Sequence, residues 1–428
     1  MLARKARPAF CETVGVISAA DIDAATARLD GIAARTPLHL SDRLSARFDA
    51  AVWLKREDLQ PVRSYKVRGA YNFLVQLPAA QRPRGVVCAS AGNHAQGVAF
   101  ACARLGVHAR VYLPGTTPRQ KRDRIAWLGG DWVEVRLAGD TYDEAAAAAL
   151  ADAAATGATL IPAFDADDII AGQGTVAREV LEQLGTAPDL LVVPVGGGGL
   201  LAGCSAWLAE RAPAVTVVGV EPAGAPSMVA ALAAGGPTTL EQFDGFVDGA
   251  AVRRVGDLTY AAIAGAGVDI VTVDEGRLCS EILALYQSDG IIAEPAGALA
   301  TTALGDAIGV TPGSTVVCVI SGGNNDVSRY GEILERSLVF EGLKHYFLVE
   351  FPQEPGSLRR FLDEVLGPDD DITRFEYVKR NNRESGPALV GVELARATDL
   401  PPLLARIDAS PLVVQHLEPG SPLYSFVS

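Results

Sequence analysis

Lys66 lies in a segment that could use its amine as a nucleophile. The segment reads SYKVRGA from residue 64, and Ser64 is a good helix N-cap ahead of helically spaced apolar residues. Lys66 is therefore predicted in the first turn of a helix, where the positive end of the helix dipole disfavours an ammonium group. A lysine with a lowered pKa can form a Schiff base with a carbonyl compound. Alone, however, a lysine at a helix start is usually a solvated surface residue.

Four consecutive glycines, Gly196, Gly197, Gly198 and Gly199, form a second candidate site between an apolar run at 190–195 and a predicted helix. Glycines let backbone N–H groups approach an anion, and a helix N-terminus favours a phosphate. The stretch GGGLLA from residue 197 also fits the dinucleotide pattern GxGxxA, with Glu221 about 20 residues further on. An NAD- or flavin-dependent oxidoreductase is therefore an alternative, although it explains neither Lys66 nor the next two motifs.

Two further strand ends carry small polar residues. The loop of Ser90, Ala91, Gly92 and Asn93 precedes a predicted helix, so its N–H groups and the Ser90 hydroxyl suit a carboxylate. The Asn93 amide could donate to a phenolate oxygen, and the Ser321 hydroxyl, after the apolar run 316–320, could donate to a heteroaromatic nitrogen. In isolation Asn93 would be an ordinary helix cap and Ser321 a turn residue.

An alternation of short apolar runs and alanine-rich helices must position these motifs between about residues 52 and 320. Strands are predicted at 86–89, 109–113, 132–136, 190–195, 215–220 and 316–320. Helices are predicted at 95–105, 142–154 and 174–184. The pattern indicates an α/β fold with parallel sheets covered by helices on both faces.

The pattern changes after about residue 339. Strands at 346–351, 372–379, 388–394 and 412–417, with helices at 357–366 and 400–407, give the ferredoxin-like order βαββαβ. We therefore predict a first domain over 1–338 and a second over 339–428, joined through 329–343. A small subdomain of about 52–165 is predicted to be inserted in the larger part of the first domain.

Composition excludes several classes of function. The chain has 428 residues, 49% hydrophobic, which suggests two or three domains. A net charge of −14 argues against nucleic acid as a partner, and no apolar run approaches the ~20 residues that a membrane span needs. The six cysteines are scattered and the five histidines lack ligand spacing, so reduced cysteines and no metal are expected. Without a convincing targeting segment, a cytoplasmic location is expected.

The motifs SYKVRGAYN, SAGNHAQG, GGGGL and SGGN, in this order, resemble the fold-type II pyridoxal-phosphate enzymes, and most closely the threonine dehydratase family of isoleucine biosynthesis. The resemblance implies a catalytic unit of two three-layer αβα subdomains and one C-terminal ACT-like domain. It implies pyridoxal 5′-phosphate bound to Lys66, with its 3′ oxygen on Asn93 and its ring nitrogen facing Ser321. The cofactor phosphate would lie on Gly196, Gly197, Gly198, Gly199 and Leu200, and the substrate carboxylate on Ser90, Ala91, Gly92 and Asn93.

The implied reaction is α,β-elimination of L-threonine to 2-oxobutanoate and ammonia. Lys66 would remove the Cα proton while the cofactor spreads the negative charge. The neutral Ser321 predicts weak carbanion stabilisation and prompt loss of the β-hydroxyl, with the cofactor phosphate as the expected proton donor. Serine racemases of this group have a serine at the position of Ala91, so Ala91 favours elimination.

The ACT-like domain implies inhibition by isoleucine, relieved by valine, with the turn 353–358 as its ligand site, and the family implies a homotetramer. Some relatives bind a divalent cation near an acid matching Glu221, but no second carboxylate follows here, so no metal is assigned. Two alternatives remain besides the oxidoreductase. One is a catabolic dehydratase acting on serine as well as threonine, and the other is an amino-acid sensor with an inactive catalytic unit.

Overall fold

Two units, Met1–Asp326 and Val327–Ser428, make up the chain in the computed structural model, which describes residues 17–377 and 384–424. The strands are, in chain order, β1 Leu38–Leu40, β2 Ala51–Arg56, β3 Val86–Ala89, β4 Ala109–Leu113, β5 Val133–Leu137, β6 Thr159–Leu160, β7 Leu190–Pro194, β8 Thr216–Pro222, β9 Asp269–Val273, β10 Thr315–Ile320, β11 Lys344–Pro352, β12 Asp371–Tyr377, β13 Ser385–Glu393 and β14 Val413–Leu417. The helices are α1 Ala19–Leu29, α2 Asp42–Phe48, α3 Lys66–Val75, α4 Asn93–Leu105, α5 Arg119–Gly129, α6 Tyr142–Thr156, α7 Asp167–Leu184, α8 Gly199–Arg211, α9 Ser227–Ala234, α10 Asp257–Ala266, α11 Glu275–Gln287, α12 Pro295–Thr302, α13 Tyr330–Phe340, α14 Ser357–Arg360 and α15 Leu400–Ala409.

The larger sheet of the first unit has the strand order β1-β2-β10-β7-β8-β9 among the described residues. Every neighbouring pair is parallel except β1 with β2. The central strands β7 and β10 are almost wholly buried, which explains their continuous apolar sequences. Because β7 and β10 are parallel neighbours, the glycine loop and Ser321 emerge side by side at the same edge of the sheet.

The smaller sheet of the first unit is parallel, in the order β5-β4-β3-β6. Its core includes buried residues of α3 and α4, the helices that begin at Lys66 and Asn93. The loop 90–93 leaves the end of β3 and leads directly into α4. This sheet therefore positions the predicted carboxylate loop.

A buried ionic network fixes α3. Arg68 is buried and donates to Glu57 through Nε at 2.8 Å and to Glu179 through Nη1 at 2.7 Å. Lys55 of β2 donates to the second oxygen of Glu179 at 2.7 Å. The network joins β2, α3 and α7, and it lies one helical turn or less from Lys66.

The second unit contains an antiparallel sheet in the order β12-β13-β11-β14, with α14 and α15 connecting its strands. Its own core includes Phe347, Phe351, Phe361, Val390 and Leu403. This arrangement confirms the predicted βαββαβ order. The predicted helix 357–366 is wrong in one respect, because α14 ends at Arg360 and the chain continues to Val365 as a π-helical turn.

The structure confirms the α/β class. The last residue of each predicted strand lies within two residues of the last residue of an observed strand. The predicted strand 372–379 is the exception, because it runs into residues outside the described part. The sequence reasoning missed the short strands β1 and β6, the edge strand β9, and β2. Helix α7 begins at Asp167, seven residues before the predicted start. The prediction began too late because glycines at 172 and 174 interrupt the apolar pattern of the first turns.

The domain limits stay predictions. β2 pairs in the larger sheet, and the strands of the smaller sheet lie between Val86 and Leu160. The segment predicted to join the domains contains α13. Cys88, Cys102, Cys204 and Cys318 are buried and form no disulfide among the described residues. Cys279 is also buried, and Cys11 lies outside the described residues. Over the described ranges no helix is long and apolar enough to cross a membrane.

Candidate active site

Lys66 is the first residue of α3, and its amine faces the interior of the first unit. Its Nζ donates to the backbone oxygen of Ala163 at 2.9 Å. Burial lowers the pKa of Lys66 to about 8, while the nearby Glu294 acts in the opposite direction. Burial is therefore the main cause of the lowered pKa, and the sequence pattern alone did not indicate it. The structure supplies an amine that is partly unprotonated near neutral pH.

The predicted cap of this helix is wrong. Tyr65, not Ser64, occupies the N-cap position, and it makes no side-chain capping bond. Among the described residues, the buried Ser64 hydroxyl has no hydrogen-bond partner. Ser64 thus leaves a donor free beside Lys66.

Backbone hydrogen bonds tie the segment of Lys66 to the end of β10. The N–H of Tyr65 donates to Ser321 O at 3.1 Å, and the N–H of Gly323 donates to Arg63 O at 2.9 Å. Ser321 is buried, and its hydroxyl lies 3.3 Å from the backbone oxygen of Ala296. The structure therefore brings the predicted ring-nitrogen partner next to the lysine segment.

The glycine loop joins β7 to α8, as the sequence pattern predicts. Within the described part of the chain, the N–H groups of Gly196, Gly197 and Gly198 have no hydrogen-bond partner, and Leu200 lies buried in the first turn of α8. Gly198 has φ +91°, a conformation that favours glycine, and a Cβ on Gly197 would lie 2.1 Å from the Phe164 ring. Unpaired N–H groups at a helix start fit a phosphate.

Packing within the protein also explains why glycines occupy this loop. The Phe164 ring covers Gly197, and a Cβ on Gly196 would lie 2.9 Å from the Cα of Ala250. Thr259 also donates to Gly197 O at 2.7 Å. Four consecutive glycines therefore do not by themselves imply a ligand, because packing within the protein also requires them.

Asn93 is the first residue of α4 and does not cap it. Its Nδ2 donates to Glu294 Oε1 at 2.5 Å, and its Oδ1 accepts from Asn324 Nδ2 at 2.7 Å. In the preceding loop, Ser90 Oγ accepts from the N–H of Gly92 at 3.2 Å. A Cβ on Gly92 would meet no atom within 4 Å, so this loop borders open space. The predicted substrate loop thus has room for a ligand, while Asn93 is held by two partners.

Two more buried groups shape the electrostatics of the site. Burial raises the pKa of Glu294 to about 7, with a smaller contribution from Asp248. Burial lowers the pKa of His94 to about 3, and Lys66 adds to that effect. His94 Nε2 lies 3.2 Å from the backbone oxygen of Ile161, which can only accept, so the proton of this neutral ring is on Nε2. Lys66 and Glu294 are therefore the groups of the site that change charge near neutral pH.

Sequence reasoning missed several residues that the structure places here. Ala163 and Phe164 contact Lys66 and the glycine loop from the segment between β6 and α7, and no local pattern marks them. Glu294 did carry a signal, since it is the only charged residue between Asp289 and Asp306. A single carboxylate in such an apolar stretch is either paired or functional.

Glu221, considered above as a ribose-binding acid and as a possible neighbour of a cation, has a structural role. Its carboxylate accepts from the N–H groups of Met228 at 2.8 Å and Val229 at 2.9 Å, at the start of α9. The carboxylate therefore already serves to stabilise the start of α9. Searching the described residues finds no group of three or more His, Cys, Asp or Glu side chains that could hold a metal ion.

The sequence matches two families over most of its length. Residues 29–322 match the pyridoxal-phosphate dependent enzymes, and residues 335–427 match the C-terminal regulatory domain of threonine dehydratase. The chain therefore belongs to the pyridoxal-phosphate-dependent enzymes, and its cofactor is pyridoxal phosphate. The unpaired N–H groups at Gly196–Gly198 and the buried amine of Lys66 fit that group.

Individual relatives narrow the assignment. The chain is 64% identical over 413 residues to the L-threonine dehydratase biosynthetic IlvA of Mycobacterium tuberculosis, covering 96% of each chain. It is 57% identical over 418 residues to the enzyme of the same name from Corynebacterium glutamicum, again covering 96% of each. The processed form of threonine deaminase isoform 2 from Solanum lycopersicum superposes with a TM-score of 0.70 at 38% identity, over 74% of this chain and 86% of that one. Within its class, the chain belongs to the biosynthetic threonine dehydratases, which confirms the family resemblance.

Proposed function

We propose that this protein deaminates L-threonine to 2-oxobutanoate and ammonia by α,β-elimination, as the first committed step of isoleucine biosynthesis. The observation that carries the proposal is the half-buried Lys66, whose amine has a lowered pKa and whose segment is hydrogen-bonded to the strand end that bears Ser321. Relatives at 64% and 57% identity named as biosynthetic threonine dehydratases support it.

Pyridoxal phosphate, when bound, supplies an aldehyde that condenses with amines and a ring that withdraws the electrons left at Cα. In the proposed site the free N–H groups of Gly196–Gly198 bind the phosphate. Ser321 provides a neutral hydroxyl for the ring nitrogen, and Asn93 provides an amide N–H for the ring oxygen. Because Ser321 carries no charge, it does not favour a protonated ring.

Lys66 has two proposed tasks, as the group that holds the cofactor and as the base at Cα. With a pKa of about 8, roughly a tenth of such amines are unprotonated at pH 7, against fewer than about one in a thousand at an ordinary lysine pKa. Its Nζ can then take the Cα proton of the substrate. Burial thus supplies an unprotonated amine at neutral pH, although that amine is a weaker base than an ordinary lysine.

The loop 90–93 is the proposed site of the substrate carboxylate, because open space adjoins it and two of its N–H groups, those of Ala91 and Asn93, have no partner among the described residues. Ala91 offers no hydroxyl that could return a proton to the opposite face of Cα. Elimination is therefore favoured over racemisation.

The finer parts of the proposal concern regulation, assembly and location. The match of residues 335–427 to a regulatory domain of threonine dehydratase supports allosteric regulation. Isoleucine as the inhibitor and valine as the ligand that relieves inhibition are proposed from the family resemblance. A homotetramer is proposed from the family resemblance. Cys88, Cys102, Cys204 and Cys318 are buried thiols outside any disulfide among the described residues, which is consistent with a reducing compartment and so with the proposed cytoplasmic location.

The decisive experiment measures 2-oxobutanoate release from threonine by purified protein, with and without isoleucine. We expect the protein to show the visible absorbance of lysine-bound cofactor, and Lys66→Ala to lose both absorbance and turnover. Lys344→Ala, a lysine of the second unit, is the control and should keep both.

Three outcomes would contradict parts of the proposal. Protein that stays colourless after addition of pyridoxal phosphate would exclude the cofactor, and a thermal shift with NAD would then favour the oxidoreductase. Equal kcat/KM for serine and threonine would favour the catabolic dehydratase. Isoleucine binding without any oxoacid release would indicate the sensor.

A further inference from the structure

Glu294, Asn93 and Asn324 form a closed ring of hydrogen bonds at the candidate site. Glu294 Oε1 accepts from Asn93 Nδ2 at 2.5 Å, and Asn93 Oδ1 accepts from Asn324 Nδ2 at 2.7 Å. The backbone N–H of Asn324 also acts on the Glu294 carboxyl group and lowers its pKa, and this interaction completes the ring. All three residues are thus held by one another.

The ring fixes which end of the Asn93 amide is nitrogen. The Asn324 Nδ2 also donates to the backbone oxygen of Val62 at 2.9 Å, which identifies it as a donor. Its other contact, Asn93 Oδ1, must then be an acceptor. The carboxylate on the opposite side independently requires the Asn93 nitrogen, so two partners specify the same orientation.

The Asn93 amide keeps one N–H after these contacts. An amide nitrogen carries two hydrogens, and Glu294 takes one of them. If the amide were rotated by 180°, its oxygen would face the carboxylate and its nitrogen would face the Asn324 nitrogen. Both contacts would then be repulsive, so the ring holds the remaining N–H in a single direction.

The surrounding backbone leaves room for the Glu294 side chain. A Cβ on Gly322 would lie 2.2 Å from Glu294 Oε1 and 3.2 Å from Asn93 Nδ2. Gly322 directly follows Ser321, and its backbone oxygen accepts from the N–H of Glu294 at 3.1 Å. The absence of a side chain at position 322 is therefore what lets the acid reach the amide.

We propose that Glu294 is a positioning residue, which together with Asn324 aims the free N–H of Asn93 at the ring oxygen of the cofactor. The inference rests on the proposed function, because it assumes that Asn93 contacts that oxygen. Glu294 itself need not touch the cofactor. Its effect on the cofactor would pass through the Asn93 amide.

The test measures the cofactor dissociation constant and the absorbance maximum of bound cofactor between pH 6 and 9, in the full chain. We expect Glu294→Ala to weaken cofactor binding about tenfold and to shift the absorbance maximum or its pH dependence, since the loss of one charged acceptor is of that order. Glu294→Gln should stay within about threefold of the wild type, because its amide oxygen can accept the same N–H.

A double-mutant cycle distinguishes positioning from a merely structural role. Asn93→Ala should weaken binding by a similar factor, and adding Glu294→Ala to it should cause little further change. Should Glu294→Ala fail to fold, Glu294→Asp keeps the charge but is one methylene too short, and should reproduce the spectral shift. The thermal transition of each cofactor-free variant checks that it is folded.

Additive effects in the cycle would overturn the inference, as would a folded Glu294→Ala or Glu294→Asp protein with wild-type affinity and spectrum. Wild-type affinity in Asn93→Ala would also overturn it. In each of these cases the wild-type protein still binds cofactor and deaminates threonine, so the proposed function stands. Failure of the wild-type protein to bind cofactor would instead defeat the proposed function.

Discussion

The amine of Lys66 is useful because partial burial lowers its pKa, and the same burial costs the cofactor-free protein stability. Its pKa is about 8 in the folded chain, whereas an exposed lysine has an ordinary value of 10.5. Below pH 8 the ammonium is charged in both the folded and the unfolded chain, and the folded state bears the full desolvation cost. Between pH 8 and pH 10.5 the unfolded chain binds more protons than the folded chain, so the stability of the folded chain rises with pH.

We therefore expect Lys66→Met to stabilise the cofactor-free protein at pH 7 by at most about 3 kcal/mol, and by less at pH 9.5. The measurement is denaturant unfolding of cofactor-free wild-type and variant protein at both pH values. An equal difference between the two proteins at pH 7 and pH 9.5 would contradict the link to Lys66 ionisation.

The site residues differ in how far sequence could predict them. Lys66, Asn93, Ser321 and the glycines stand in local motifs at strand ends, and the structure brings the segments of Lys66 and Ser321 together. Their roles stay predictions. Glu294 and Phe164 act through contacts across the fold, which neither periodicity nor a motif encodes.

At the scale of elements, the start of α3 depends on buried charge in place of a side-chain cap. Arg68 makes hydrogen bonds to both Glu57 and Glu179, and all three side chains are largely or fully buried. Removing one partner of a buried ion pair leaves the other charge uncompensated, which typically costs about 3 to 5 kcal/mol.

Arg68→Ala is accordingly expected to lower the free energy of unfolding by about 3 to 5 kcal/mol and to reduce cofactor occupancy. Arg119→Ala is the matched control, because Arg119 pairs with Asp123 while its side chain is 86% exposed, and it should change stability by less than about 1 kcal/mol. Comparable losses in the two variants, measured by denaturant unfolding, would contradict a special role for the network.

The glycine loop allows a second comparison between elements. In Gly197→Ala the new methyl group would overlap the Phe164 ring, so the loop or the ring must move. We expect cofactor affinity to fall at least tenfold, by a cofactor titration. Gly236→Ala places its methyl group where no atom lies within 4 Å, and should bind cofactor as the wild type does.

At the scale of the whole molecule, the two units have separate cores. Phe361 of the second unit is 2% exposed and meets Phe351 edge to face at 5.4 Å. Phe361→Ala should destabilise the second unit by about 3 to 5 kcal/mol. Cofactor absorbance and threonine turnover without effector should persist, while any isoleucine response is lost. Calorimetry and turnover with and without isoleucine check this, and loss of cofactor would contradict it.

The architecture was the most predictable property of the chain. Strands such as β3 and β4 are apolar runs bounded by polar loops, and a parallel sheet buried on both faces produces that pattern. The ends of elements were less predictable, because tertiary contacts determine them. The early start of α7 and the π-helical turn after α14 both illustrate this.

The position of β10 has a consequence for synthesis of the protein on the ribosome. β10 lies between β2 and β7, yet it is made more than a hundred residues after β7. A nascent chain lacking it has two sheet fragments with unpaired inner edges, and such edges invite association with other chains. Ser321 follows β10 directly, so the complete cofactor site can form only after the end of β10 has left the ribosome.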